Sequence, residues 1–78
     1  MKEFKWTESS NRLLTIIKKK VIKNFEDRNP QKFKINITKK KNFLVVPIPY
    51  NYPAFQLFIN DKFYTSYFLK DKKWIILK

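Results

Sequence analysis

Lysines and aromatic rings are the chemically active inventory of this chain: 18 Lys and Arg residues stand beside 8 Phe, 4 Tyr and 2 Trp, with no Cys and no His. Ammonium groups neutralise phosphates and release counterions, and accessible rings stack on bases without reading them. Interleaved over the whole chain, the two types describe a surface for a polyanion. Arg12, Lys19 and Lys23 are the phosphate-gripping candidates in the first third, Lys39, Lys40 and Lys41 in the middle, and Lys72 and Lys73 near the end. Tyr50, Tyr52, Tyr64 and Tyr67 are the stacking candidates. Together they lead to the expectation of a small basic nucleic-acid-binding protein, largely independent of sequence, with DNA and RNA both open.

The formal charge is +12, from 18 basic against 6 acidic residues. A field of this sign attracts nucleic acid, an anionic membrane or an acidic protein surface. The second expectation is therefore an inhibitor or adaptor of the kind phages and mobile elements encode. It would bind an acidic or nucleic-acid-binding surface of a host or defence protein complex. One contiguous apolar patch of rings favours such a protein partner, whereas rings spaced among lysines favour stacking. A membrane-surface role ranks third, because the apolar face of the amphipathic segment is needed elsewhere.

Catalysis has a thin inventory. Without His, general acid–base work falls to Glu, Asp, Lys or Tyr with shifted pKa values. Asp61 with Asp71-Lys72-Lys73 matches the spaced acids and lysine of metal-dependent nucleases. Both acids fall in turns at opposite ends of one strand, and at about 3.3 Å per residue they stand more than ~20 Å apart, too far for one metal. Nothing has zinc-ligand spacing, so neither a metal nor a cofactor is implied. A metal-independent ribonuclease needs only a base, a cation and a stacking ring, which Lys and Tyr can supply.

In that context the opening Phe4-Lys5-Trp6-Thr7-Glu8 resembles the first strand and helix start of RelE/ParE-type toxins, which are small, basic and built as helix plus antiparallel sheet. The resemblance is confined to the opening of the chain and implies a ribonuclease toxin as a further alternative. The chain departs from the family in having one helix where two usually precede the sheet, and in having Arg only at 12 and 28. No catalytic residue of that family maps onto it.

The elements that must position these residues are legible from periodicity. Thr7-Glu8-Ser9-Ser10 offers N-cap hydroxyls and an acid for the positive end of a helix dipole, and a helix is expected from about Glu8 to Asp27. Leu13, Leu14, Ile17, Val21 and Phe25 form its apolar stripe, with Arg12, Lys19 and Lys23 almost opposite. Asn29-Pro30 ends it. Lys32–Thr38 alternates as a half-buried strand, the lysine loop at 39–41 follows, and Phe43–Val46 is apolar on both sides and so central.

Pro47 should stop the ladder, and the connector Pro47 to Pro53 should be extended and stiff, presenting Tyr50 and Tyr52 on a rim. Phe55–Ile59, Phe63–Leu69 and Trp74–Leu77 then read as three strands. Asn60-Asp61 suits a two-residue hairpin that aligns Phe58 with Phe63, Leu57 with Tyr64 and Gln56 with Thr65. Met1–Trp6 reads equally as an edge strand or an extended arm.

The sum is a single α+β domain spanning 1–78, with one N-terminal amphipathic helix packed on a four- to five-stranded antiparallel sheet. One helix covers one face of such a sheet. Some of Phe55, Phe58, Phe63, Tyr64, Tyr67 and Phe68 should therefore stay accessible unless another chain covers them. With no disulfide to staple so small a core, oligomerisation is a second route to stability, so a homo-oligomer is open. The absence of Gly removes glycine-rich phosphate loops and dinucleotide fingerprints. No transmembrane segment or signal peptide is expected, which points to an intracellular, cytoplasmic protein, a host cytoplasm included.

Overall fold

The computed structural model describes residues 4–48 and 50–77. Met1–Glu3, which the lead-in expectation includes, lie outside the described residues, as do Pro49 and Lys78. One helix, α1 (Glu8–Glu26), precedes five strands: β1 (Phe33–Asn36), β2 (Asn42–Pro47), β3 (Ala54–Ile59), β4 (Lys62–Lys70) and β5 (Lys73–Leu77). They form one antiparallel sheet in the order β1-β2-β3-β4-β5, an up-and-down meander in an α+β domain.

The helix begins where its cap chemistry says it should. Thr7 is extended, its hydroxyl accepts from the Ser10 backbone N–H at 3.1 Å, and its own N–H donates to the Ser10 hydroxyl at 2.8 Å. Two otherwise orphaned donors are thus satisfied reciprocally. Glu8 sits in the first turn and Lys23 in the last, each favourable to the helix dipole. Leu14, Ile17 and Val21 are buried against the sheet, while Phe25, placed in the apolar stripe by the wheel, is 39% exposed in the last turn. Arg28 follows with φ of 54°, the left-handed position in which a helix commonly places Gly.

Beneath the helix lie Phe43 and Val45 of β2, Phe55 and Leu57 of β3, and Tyr67 of β4. Phe55 and Tyr67 stack at 5.0 Å between centroids. Residues 4–7 make no strand. They form an arm whose Phe4 and Trp6 rings close the core at 5.7 and 5.6 Å from Phe43. The Trp6 indole N–H donates to the Tyr64 hydroxyl at 3.0 Å.

Both tight turns place two residues at positive φ, Asn60 and Asp61 (51° and 66°) and Asp71 and Lys72 (53° and 65°). These are hairpin turns whose twist matches the flanking strands. In the first hairpin, Ile59 opposes Lys62 and Phe58 opposes Phe63, as the turn dictates. A β-bulge then shifts the register, so Leu57 pairs with Thr65 rather than Tyr64, and Gln56 with Ser66 rather than Thr65. Tyr64 is the extra residue, and the bulge turns it toward Trp6.

Strand β1 is shorter than the alternation at 32–38 suggested, because the chain bends from Ile37 to Lys40. Pro47 is the last paired residue of β2, opposite Phe55. The connector after it is not a straight rod. It bends at 50–52, with the Ile48 N–H donating to the Ala54 carbonyl at 3.0 Å and the Leu69 N–H to the Pro53 carbonyl at 2.8 Å. Among the described residues no helix is long and apolar enough to cross a membrane.

Candidate nucleic-acid interface

Residues opposed across a ladder share a face, so the register sorts every side chain of the sheet. The face away from the helix carries the row Lys34, Leu44, Phe58 and Phe63, then Val46, Gln56 and Ser66, then Phe68 and Ile75, and finally Lys70 and Lys73. The helix lies on the other face, and no other described element covers this one. Phe63 is 48% exposed and Ile75 39%, with Phe58, Phe68, Leu44 and Val46 half-buried among their neighbours.

The rings fall into two groups. Phe58 and Phe63 meet edge-to-face at 5.7 Å at the end of the sheet that holds the β3–β4 turn. At the other end Tyr52 lies 6.2 Å from Phe68 and Tyr50 lies 5.3 Å from Tyr52, extending the strand surface into the connector. Gln56 and Ser66 separate the groups. Lys70 Nζ sits 5.9 Å from the Tyr52 ring, and Lys34 Nζ is 3.8 Å from Asp61 Oδ1 at the opposite end. Both Lys34 and Asp61 are exposed, so that pair is weak.

The predicted residues are distributed around the molecule rather than gathered. Tyr50, 56% exposed, and Tyr52, half-buried, border the open face. Lys72 is in the β4–β5 turn and Lys73 opens β5 at the same end. Lys39, Lys40 and Lys41 form the exposed β1–β2 loop at the other end, and Lys41 Nζ reaches 5.7 Å from the Phe4 ring on the helix side. Arg12, Lys19 and Lys23 are exposed on the back of α1, turned away from the sheet, and Arg12 is already paired with Glu8 at 3.1 Å.

Tyr64 and Tyr67 leave the stacking set. Tyr67 is 4% exposed beneath the helix, and Tyr64 is half-buried and hydrogen-bonded to Trp6. Phe58, Phe63 and Phe68, three of the six rings among which accessible ones were expected, belong to the face, and so do Lys34 and Lys70, which were not singled out. Strand parity from the Asn60-Asp61 turn marks Phe58 and Phe63 as one face. The bulge hides that Phe68 shares it, since an unshifted register would move every later residue to the opposite side.

On the helix side, Lys18 Nζ lies over Tyr67 at 5.5 Å and over Trp74 at 5.7 Å. Burial lowers the Lys18 pKa below its ordinary 10.5. Burial, reinforced by neighbouring Tyr64, pushes the Tyr67 hydroxyl up to about 12, so it stays protonated at neutral pH. Asp61 and Asp71 occupy turns at the two ends of β4, and among the described residues no three acidic, His or Cys side chains come together. No known protein family, characterised protein or solved structure matches this chain.

Proposed function

We propose that this protein binds single-stranded nucleic acid, with little sequence preference, across the open face of its sheet. The observation that carries the reading is the division of the uncovered rings into two groups separated by Gln56 and Ser66, with Lys34 at one end and Lys70 and Lys73 at the other. Phe63 and Phe68 stand about 15 Å apart along β4 at the usual rise of a strand. Rings so spaced act as separate stacking platforms, and cations at both ends suit a strand crossing the sheet. The lysines at 39–41 and 72 extend that path beyond each end, whereas Arg12, Lys19 and Lys23 lie behind it and add only long-range attraction.

A second reading keeps the same face and changes the partner. Leu44 and Val46 supply aliphatic surface that base stacking does not need, and an apolar surface of this kind also fits an acidic protein partner. Titration of labelled single- and double-stranded DNA and RNA at several salt concentrations separates the two. The nucleic-acid reading expects micromolar or tighter binding to single strands at physiological salt, with log K falling by about 0.7 per log salt for each phosphate neutralised. Joint replacement of Lys39, Lys40 and Lys41 by Ala should weaken binding to all sequences alike. Feeble binding to every polymer, vanishing near physiological salt, would leave the protein partner as the better reading.

A further inference from the structure

The two edges of the sheet are unlike each other. β1 has four residues and carries Lys34 inside the strand, exposed and paired with Asp61. Short length and an internal charge are devices by which natural edges refuse a further strand. β5 is one residue longer, keeps its lysine at the first position and has no charge in its middle. Between Lys73 and Lys78 it reads Trp74, Ile75, Ile76 and Leu77, with Ile75 39% and Ile76 56% exposed. Ile76 opposes Tyr67 on the helix side and Ile75 opposes Phe68 on the open side. The strand is thus apolar on both faces, and its outer backbone ladder meets no strand among the described residues.

We propose that β5 pairs antiparallel with β5 of a second copy, joining two sheets edge to edge. The strand is self-complementary in the one way a two-fold axis requires. An axis normal to the sheet through Ile75 sets Ile75 against its own copy on the open side and Trp74 against Ile76 on the helix side, so these three meet apolar partners on their own faces, with Lys73 opposite Leu77 at each end of the register. Charge argues for the register as well. Each copy carries +12. The apposed stretch from Trp74 to Ile76 carries none, so repulsion comes from Lys73 at the two ends of the register and from the rest of each chain, and salt screens it. An edge contact of one short strand is smaller than a standard interface of roughly 1,200–2,000 Å², so the dimer is expected to depend on protein concentration.

The dimer does not depend on the nucleic-acid reading. Where both hold, the two open faces lie side by side in one continuous sheet and offer two strand paths in place of one. Salt acts on the two events with opposite sign, loosening the nucleic-acid complex and tightening the dimer.

Sedimentation velocity of the whole chain without nucleic acid, across protein concentration at about 0.1 M and about 0.5 M NaCl, tests the pairing. The expected result is a concentration-dependent dimer, more populated at the higher salt. Ile75→Lys should be monomeric at both, while Ile16→Lys, at a helix position 53% exposed, should dimerise like the parent. Should Ile75→Lys fail to fold, Ile75→Cys gives the chain a single thiol, which should oxidise to a linked dimer faster than Ile16→Cys. A parent monomeric throughout, a dimer that salt dissociates, or equal cross-linking at 75 and 16 would overturn the proposal.

Discussion

Lys72 holds a φ of 65° in a chain without glycine, at a turn position where a Cβ crowds the following carbonyl. Its charge is kept at a cost in backbone strain. Lys72→Gly should therefore raise stability to urea by about 1 kcal/mol while reducing the positive field at that end of the sheet. Asn60 in the first turn tolerates the same conformation better, since its short polar side chain can bond locally. Tyr67 makes a pH-dependent contribution whose sign follows from burial. Its folded pKa of about 12 lies above the ordinary 10.0, so its stabilisation is complete below about pH 10 and is lost as pH rises through 12. Lys18, lowered by burial, acts in the opposite sense. Urea unfolding at about pH 9 and about pH 11 should show the parent losing ground to Tyr67→Phe at the higher value, and parallel behaviour would refute the assignment.

At the scale of elements, what periodicity carries, the chain keeps. The cap at Thr7, the stripe of Leu14, Ile17 and Val21, the interior place of β2 between β1 and β3, and both hairpins follow from residue spacing and turn chemistry. The β-bulge beside Leu57 does not, because an inserted residue in a strand apolar on both sides leaves the alternation pattern intact. That single feature puts Tyr67 in the core, where an unshifted register would set it beside Phe63, whereas Tyr64 falls on the helix side in either register. Phe63 and Phe55 make the consequence measurable. Phe63→Ala should leave the melting temperature nearly unchanged, since the ring is 48% exposed, and weaken single-strand binding by about 1–3 kcal/mol. Phe55→Ala, at a site with no exposure, should instead cost about 3–5 kcal/mol of stability. Equal effects of the two on stability would contradict the division of faces.

For the whole molecule, one helix on a five-stranded sheet leaves one face without a cover, and the chain lines that face with rings and ends it with lysines. Charge of the same sign also coats the back of the helix at Arg12, Lys19 and Lys23. Net charge therefore accounts for attraction without saying where a ligand rests. Location is the central claim, and the most direct measurement is a map of chemical-shift changes on addition of a mixed-sequence single-stranded oligonucleotide. The account predicts that the ring signals of Phe58, Phe63, Phe68 and Tyr52 and the amides of Lys34, Lys70 and Lys73 move, while the amides of Lys19 and Lys23 hold still. Shifts concentrated on the helix, with the sheet rings unmoved, would contradict it.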